Sequence, residues 1–580
     1  MRTQFIGLRK KDKNMNMHKI PFIFAIFIFL VVGCSSEETC IESDLVLINT
    51  KIYTANPEEP DAEALAIKNG KFSFIGSNSE VENFNCGETK VLDLEGSFVY
   101  PGFIDAHAHL KGIGYREMNL NLQGAESLKS MLTQVTIHSN KIQPGDWVIG
   151  RGWIEKKWPE GRFPTLEEMN AISSDKPIAL ERADGHAIIV NSLAMKLAGI
   201  DRNTPNPIGG KIDKDVDGEP NGVLIDKASL LVESIIPKRT RADEKKALRE
   251  GLYRTAKMGW TQLQDAGSPL SDLELLREIK SEENLPVRIH MYISDGEDAI
   301  KFIDSGPYLD PEHMLTARGV KLYADGAIGS RGAAFFTKYD DYETKGFLIF
   351  QKEETMPKLI KALVNGIQIQ THAIGDLANS VTLDWYQEAF KAVSDANRMI
   401  IEPRWRIEHS QNILPKDQQR FADMKVIASM QPSHAIGDLH FAHKRLGLDR
   451  LNNAYTWRSL IDLGVVIAGG SDAPVEIGDP RIEFKAAIGR KDLDGYYQDY
   501  WNLEESVSRE EALYMFTKWA AYSVFEEDIK GTIEVGKLAD LTIFSKDLMV
   551  IPEEEIMLSL IHISEPTRRY AISYAVFCLK

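Results

Sequence analysis

The long middle of the chain alternates between short apolar runs and segments with helical periodicity. Amphipathic helices are predicted at Arg241–Met258 and at 354–364, among others. Eight apolar runs are predicted as strands: the run ending near His109, then 260–265, 287–293, 319–324, 367–371, 405–408, 426–430 and 465–468. Strand–helix alternation predicts a parallel sheet, and eight such units predict a closed (β/α)8 barrel of the TIM type. Reactive groups are then expected at the carboxyl ends of the strands.

Two β-rich segments flank this alternating region. Short strands with turn signals fill 43–99, and a matching β segment returns at 531–544. We therefore expect a small β-sandwich built from both chain ends, with parts at 34–98 and 526–556 around a barrel at 99–525. Roughly 150 residues separate the first two barrel strands, far more than an ordinary connection, so about 111–252 is predicted to be an inserted subdomain.

The last segment, 557–580, departs from the expected pattern. One more sandwich strand is expected after Ile556, but the sequence there resembles translated sequencing-adapter DNA. We interpret 557–580 as non-native, the alternative being a real divergent tail, and on either interpretation His562 and Cys578 receive no role.

The first residues have the features of a targeting segment. Positive charge comes from Lys10, Lys11, Lys13 and Lys19, and an apolar run at 21–32 is short for a membrane span. Gly33-Cys34 resembles a bacterial lipobox, which predicts a signal peptide at 1–33 and lipidation at Cys34. The alternative is an uncleaved anchor helix. Either interpretation places the protein in the bacterial cell envelope, on the outer membrane or the periplasmic face, and a disulfide between Cys40 and Cys86 is allowed there.

Composition narrows the classes of partner. The chain has 580 residues, 43% hydrophobic and 26% charged, with a formal net charge of −17. These values are typical of a globular protein and argue against a nucleic-acid partner. They leave the oligomeric state open, a homodimer included.

Candidate metal ligands stand at the ends of the predicted strands. His107 and His109 are two residues apart on a strand, so both imidazoles face the same side and suit a divalent transition metal such as zinc. Four further candidates follow later strands: Lys321, His372, His409 and Asp472.

Six motifs together resemble the amidohydrolase superfamily, in its YtcJ-like branch with N-substituted formamide deformylases. They are PGFIDAHAHL (101–110), GVKLYADGAIGSRGAA (319–334), THAIGD (371–376), RIEHSQ (406–411), GGSDAPVE (469–476) and GKLADLTIF (536–544). The resemblance implies ligands in the order paired His, a bridging Lys or Glu, His, His and Asp, which this chain presents. It implies one or two zinc ions.

Two of these candidates have alternative roles. Lys321 is interpreted as a CO2-derived carbamate bridging two metals, the alternative being an ordinary lysine paired with Asp325 at a one-metal site. Asp472 is interpreted as a metal ligand that also takes the proton from bound water and passes it to the leaving amine. It would otherwise serve as a helix N-cap before Ala473.

Secondary site candidates come from the insert and the loops. His186 is predicted to contact the substrate or its oxyanion, the alternative being a surface histidine. Arg331 is predicted to clamp a substrate carboxylate or carbonyl, while Asp325 and Gln431 are predicted to line the pocket. Trp153, with Trp158 and Phe163, is interpreted as an aromatic lid or as core of the insert. A loop cluster of histidines is interpreted as solvated: His434, His440 and His443.

The predicted function is hydrolysis of a C–N bond in a small amide, formamide or cyclic amide by a metal-activated hydroxide. Alternatives are hydrolysis of another bond, such as an ester, on the same site, or an inactive substrate-binding lipoprotein. The His-Glu-x-x-His helix of a metallopeptidase is missing from the sequence. The strand ends carry histidines rather than the two carboxylates of a glycosidase.

Overall fold

The computed structural model describes residues 40–155, 158–182, 187–207 and 210–565, without the side chains of 226 and 562–565. The compact unit begins at Ile41. The predicted signal peptide, Cys34, His186 and Cys578 lie outside the described residues. Within them, no helix has both the length and the apolar character needed to cross a membrane.

The first seven strands form most of the predicted sandwich: β1 (Leu45–Ile48), β2 (Lys51–Tyr53), β3 (Asp61–Ala62), β4 (Ala64–Lys68), β5 (Lys71–Gly76), β6 (Lys90–Asp93) and β7 (Phe98–Pro101). One sheet has the order β5-β4-β1-β6. Cys40 and Cys86 are both disulfide-bonded, so neither is a free thiol. The sandwich extends through Pro101, three residues beyond the predicted boundary.

An inserted unit follows the first barrel strand β8 (Phe103–Ala108) and helix α1 (Leu110–Met118). Its elements are β9 (Leu120–Asn121), α2 (Leu128–Ser139), β10 (Val148–Trp153), α3 (Leu166–Ile172), β11 (Ile178–Arg182), β12 (Ala187–Val190), α4 (Ser192–Leu197), β13 (Gly210–Lys214), β14 (Pro220–Asp226) and α5 (Leu230–Glu233). They form a sheet with the order β13-β14-β12-β11-β10-β9 and its own apolar core.

The predicted bounds of the insert, 111–252, were too wide. Helix α6 (Arg241–Met258) packs on α1 and leads directly into the second barrel strand, so both helices belong to the barrel. Their contact is close: a Cβ on Gly114 would lie 1.7 Å from the Ala247 carbonyl oxygen. Thr240 and Asp243 form a capping box at the start of α6, and Gly259 ends it at φ 100°. The sequence therefore predicted this helix at its observed bounds.

The rest of the barrel alternates as predicted. Its elements are β15 (Trp260–Ser268), α7 (Leu270–Glu282), β16 (Arg288–Ser294), α8 (Glu297–Ser305), β17 (Leu315–Tyr323), α9 (Lys352–Asn365), β18 (Gln368–Ala373), α10 (Asp376–Ala392), β19 (Arg406–His409), α11 (Pro415–Met424), β20 (Ile427–Met430), α12 (Pro432–Asp438), α13 (Ala442–Leu446), α14 (Leu448–Leu451), α15 (Trp457–Asp462), β21 (Ile467–Gly469), α16 (Pro480–Gly489), α17 (Arg509–Met515) and α18 (Lys518–Tyr522). The eight strands pair in the order β8-β15-β16-β17-β18-β19-β20-β21, all parallel. The predicted eight-stranded parallel barrel is confirmed.

The barrel closes between its last and first strands through backbone at the candidate site. Asp472 N donates to the His107 carbonyl at 2.6 Å, and His109 N donates to the Ala473 carbonyl at 2.7 Å. A Cβ on Gly470 would lie 2.4 Å from His107 N, so only glycine fits this approach.

The C-terminal strands return to the sandwich. β22 (Leu541–Phe544) pairs antiparallel with β7, and β23 (Ile561–Glu565) pairs with β22, giving a second sheet of order β23-β22-β7-β2-β3. Buried side chains from both chain ends, among them Leu65, Val99 and Ile543, share one core. β23 is the further strand expected after Ile556. Its backbone pairing does not test whether 557–580 is native, which stays a prediction.

Candidate metal centre

Five candidate ligands converge at the carboxyl ends of the barrel strands. His107 belongs to β8 and His109 follows it, while Lys321, His372 and His409 come from β17, β18 and β19. The ring centroids of His107 and His409 are 4.8 Å apart, and those of His372 and His409 are 4.5 Å apart. The strand order alone accounts for this convergence, because neighbouring parallel strands end at one rim.

Asp472 completes the cluster from the loop after β21. Its Oδ1 lies 3.2 Å from His109 Nε2 and 3.6 Å from His107 Nε2. Asp472 has a φ of 57° and His409 a φ of 72°, both in the left-handed region that non-glycine residues rarely adopt. Asp472 is not a helix N-cap, since the next helix starts at Pro480 with Asp479 as its cap.

His434 is a site residue that the sequence interpretation missed. Its Nε2 lies 3.4 Å from Asp472 Oδ2, and its side chain is only 12% exposed. The prediction that it is solvated was wrong, because α12 follows β20 at once and carries His434 to the rim. His440 fits that prediction, being 51% exposed and paired with Asp492, whereas His443 contacts Tyr500.

Lys321 is buried, and its Nζ donates to the Ala266 carbonyl at 3.4 Å. Among the described residues it has no ion pair, so the alternative in which Lys321 pairs with Asp325 is wrong. Burial lowers the pKa of Lys321 below its usual value. An amine in this position is costly to keep charged.

The predicted pocket residues have different surroundings. Asp325 is buried, and its carboxylate accepts backbone hydrogen bonds from Ala334, Ile374 and Gly375 at 2.8–2.9 Å. Its Oδ1 also lies 3.6 Å from His372 Nε2, so Asp325 holds the strand ends around that histidine. It therefore supports the site rather than offering free oxygens to a substrate.

Arg331 and Trp153 are both held by other residues of the chain. Arg331 makes a two-pronged hydrogen bond to Asp341, at 3.0 and 2.8 Å, so its predicted clamp on the substrate is not what this structure presents. Trp153 is 1% exposed and packs with Trp158 and Phe163, and its Nε1 donates to the Leu180 carbonyl. The insert-core interpretation of Trp153 is correct, and its assignment as a substrate-binding residue is not.

Side chains at the strand ends orient the imidazoles. His107 Nδ1 is hydrogen-bonded to Glu408, and His409 Nδ1 lies 2.8 Å from Gln431 Oε1. Gln431, predicted to line the pocket, is 1% exposed and holds His409 instead. A partner at Nδ1 leaves Nε2 free for a metal, the usual arrangement of ligating histidines.

Beneath the rim, Arg406 anchors Glu408. Both side chains are fully buried, and Arg406 Nε donates to Glu408 Oε1 at 2.8 Å. Burial pushes the pKa of Glu408 up, but Arg406 and His107 outweigh it and hold the pKa at about 2. The carboxylate facing His107 is therefore ionised at neutral pH.

The electrostatics keep the candidate ligands in their metal-binding forms. Burial, reinforced by the charge of Lys321, lowers the pKa of His107 to about 4 and that of His372 to about 3. Burial raises the pKa of Asp472, but the imidazoles of His109 and His107 outweigh it and hold that pKa well below its usual value. Neutral imidazoles and an ionised carboxylate are the forms that bind metal.

The atoms that face one another here fit a bound cation. His107 Nε2, Asp472 Oδ1 and His434 Nε2 are buried and have no hydrogen-bond partner among the described residues. Unpaired buried polar atoms are rare, and converging nitrogen and carboxylate donors suit zinc and similar metals.

Comparison with known proteins decides the family. The amidohydrolase family matches residues 90–563. The chain belongs to the amidohydrolase family. It is thus a metal-dependent hydrolase of the amidohydrolase superfamily, as the sequence motifs implied.

Related members of the amidohydrolase family span almost the whole chain. The protein YtcJ of Bacillus subtilis is 32% identical over 87% of this chain and 95% of its own length. The N-substituted formamide deformylase of Arthrobacter pascens is 27% identical over 87% and 94%. An uncharacterised metal-dependent hydrolase from Pyrococcus horikoshii superposes with a TM-score of 0.70, at 26% identity, over 88% of this chain and 99% of that one.

Proposed function

We propose that this protein hydrolyses a C–N bond, other than a peptide bond, in a small amide, formamide or cyclic amide. One observation carries the proposal: His107 Nε2 and Asp472 Oδ1 are buried, have no hydrogen-bond partner among the described residues and lie 3.6 Å apart at the barrel mouth. The related formamide deformylase supports the class of bond.

The candidate residues would have two roles in such a reaction, metal binding and proton transfer. His107, His109, His372, His409 and Asp472 would hold divalent metal, with zinc as the proposed ion. The bound metal would activate water and polarise the substrate carbonyl. Asp472 is ionised and accepts the proton of the attacking water. It then donates this proton to the leaving nitrogen. His109, 34% exposed, is the most exposed of these histidines.

We also propose that Lys321 is carbamylated. The buried amine would attack CO2, form a new N–C bond and release a proton, which replaces a costly buried cation with an anionic oxygen ligand. Removing bicarbonate, or changing Lys321→Ala, should then lower the metal content.

Exposed apolar side chains at the same end of the barrel guide the choice of substrates. Val475 and Ile477 are 68% and 47% exposed on the loop after Asp472, and Phe347 and Ile349 are 62% and 52% exposed on the loop after β17. We therefore propose amides whose nitrogen carries an apolar substituent.

The test combines a measurement of bound zinc with activity assays on a panel of substrates. Purified protein is analysed for zinc with and without bicarbonate, then assayed on N-substituted formamides, cyclic amides and ester counterparts of matched shape. We expect bound zinc and turnover of one amide class, abolished in Asp472→Asn and kept in Asp479→Asn, a helix-capping aspartate on the same loop. Faster turnover of the esters would replace the C–N assignment, and protein without metal or turnover would favour a binding lipoprotein.

We propose that the mature chain is anchored in the cell envelope through a lipid on Cys34, which lies outside the described residues. Metabolic labelling with a fatty-acid analogue should mark the wild-type protein and leave Cys34→Ser unmarked. Equal labelling of both would contradict the anchor.

A further inference from the structure

Two histidines at the barrel mouth are held by glutamines in opposite orientations. His409 Nδ1 lies 2.8 Å from the amide oxygen of Gln431, whereas His434 Nδ1 lies 3.3 Å from the amide nitrogen of Gln411. An amide oxygen accepts a hydrogen bond, and an amide nitrogen donates one. Nδ1 of His409 therefore carries the imidazole hydrogen, whereas Nδ1 of His434 accepts the hydrogen bond.

The two imidazoles consequently present different groups to the site. Nε2 of His409 keeps its lone pair, as a metal ligand must. Nε2 of His434 carries the hydrogen of its ring, so His434 offers a hydrogen-bond donor rather than a ligand atom.

This N–H group has no acceptor in the described part of the chain. His434 Nε2 is buried without a hydrogen-bond partner there. Asp472 Oδ2 lies 3.4 Å away but does not complete a hydrogen bond with it, and Glu476 Oε1 is 4.0 Å away. A buried donor without an acceptor is costly and rare, which points to an oxygen that arrives with the substrate.

The fold fixes His434 in this position before any substrate binds. It is the third residue of α12, and Ser433 N at the start of that helix donates to the buried Glu483 Oε2 of α16 at 3.0 Å. The His434 ring lies nearly parallel to that of His409, with centroids 5.7 Å apart and an angle of 22°. A donor held in place in this way needs no reorganisation during the reaction.

We propose that His434 is a catalytic residue whose Nε2–H donates a hydrogen bond to the substrate carbonyl oxygen as that oxygen becomes an oxyanion. The inference rests on the proposed hydrolysis of a C–N bond. When water adds to the carbonyl carbon, the C=O electron pair moves onto the oxygen and Asp472 takes the proton of the water. When the C–N bond breaks, that pair forms the C=O bond again and the nitrogen leaves with the proton from Asp472. His434 keeps its own proton throughout.

Steady-state kinetics on the amide that the wild type hydrolyses measure this role. His434→Leu removes the donor and should lower kcat by about 100- to 1000-fold, with KM within about threefold of wild type. His434→Gln, whose amide N–H can replace the Nε2–H, should recover about a tenth or more of the wild-type kcat. Zinc content should stay at the wild-type level in both variants.

The matched control is His440→Gln, which changes the exposed histidine paired with Asp492 and should keep the wild-type kcat. Far-ultraviolet circular dichroism and the urea midpoint of each variant establish that it folds.

Nitrogen-15 NMR of histidine-labelled protein reads the position of the hydrogen without an activity assay. The signals of His434 are assigned by their loss in His434→Gln. We expect the hydrogen on Nε2 in the wild type, and a hydrogen on Nδ1 would overturn the inference.

Two kinetic results would also overturn the inference and leave the proposed hydrolase intact. One is a wild-type kcat in His434→Leu. The other is a loss of zinc from His434→Leu in proportion to its loss of activity, which would make His434 a ligand. A wild type that hydrolyses none of the amides in the panel would instead remove the proposed function itself.

Discussion

The imidazole of His107 and the carboxylate of Glu408 are hydrogen-bonded across the barrel interior, and neither side chain has any exposed surface. Arg406 donates to the same carboxylate from below. Orientation of the first histidine of the metal centre thus depends on a buried ion pair in β19.

Glu408→Gln should weaken metal binding by about 10- to 100-fold, because the neutral amide orients and polarises His107 less well. It should also destabilise the fold, since Arg406 stays buried without its counter-ion. Affinity is measured by competition with a chelating dye.

The control for this substitution is Glu526→Gln, which removes another buried carboxylate, one that pairs with Lys530 at 2.6 Å. It should lower stability and keep the metal affinity of the wild type. Equal metal loss in both variants would mean that Glu408 acts only through stability.

Gly470→Ala should damage barrel closure and the site together. The added Cβ would lie 2.4 Å from His107 N and 2.9 Å from His107 Cβ, so β8 must shift. Overpacking of this kind costs about 1–3 kcal/mol or more, and the shift moves a metal ligand. The urea midpoint and the metal content should both fall.

Gly329→Ala is the matched control, because its nearest neighbour, Phe441, would lie 3.7 Å from the new Cβ. If both variants kept the wild-type midpoint, the close approach at Gly470 would not matter for closure.

Trp153→Phe should lower stability without changing substrate affinity. The substitution removes the hydrogen bond to the Leu180 carbonyl, worth about 1 kcal/mol, and leaves a smaller ring in the core of the insert. KM for the substrate found in the panel should stay within about twofold of wild type, as its carbonyl is bound elsewhere. A tenfold rise in KM at an unchanged urea midpoint would restore the lid interpretation.

Ionisation of Asp272 should make the free energy of unfolding fall as the pH rises. The carboxylate is buried in the first turn of α7, where Lys111 donates to it at 2.8 Å and Asp265 and Glu244 add negative charge nearby. Burial raises its pKa from 3.8 to about 6. Between these values the folded state binds more protons than the unfolded state, so stability falls as the pH rises.

The predicted size of this effect is about 2 kcal/mol between pH 4 and 6. The free energies of unfolding of the wild type and of Asp272→Asn are measured by urea unfolding in the presence of a chelator. The effect is the change in the difference between these two free energies from pH 4 to pH 6. The wild type should lose stability relative to the variant as the pH rises, and parallel pH profiles would exclude a raised pKa at Asp272.

Local pattern was sufficient for the scaffold. The barrel strands are short apolar runs, α6 carries its capping box at Thr240 and its terminal glycine at Gly259, and His107 and His109 face one side because a strand repeats every two residues. Each of these features depends on residues near one another in the chain.

The assignment of individual side chains needed tertiary structure. The sequence predicts that Arg331 clamps the substrate, but in the structure its guanidinium is hydrogen-bonded to Asp341. Trp153, predicted to bind substrate, lies in the core of the insert. His434 looked solvated because its position depends on how α12 turns back over the rim beside Asp472.

The sequence by itself determined the barrel, the sandwich shared by both chain ends and the strand-end histidines, since periodicity and capping act over a few residues. Only the tertiary structure decided which atoms face one another. His107 and Glu408 are 301 positions apart, and a contact between them exists only once eight strands have closed into a barrel. Burial, hydrogen bonding and pKa depend on such distant contacts, and they determine which residues can hold a metal.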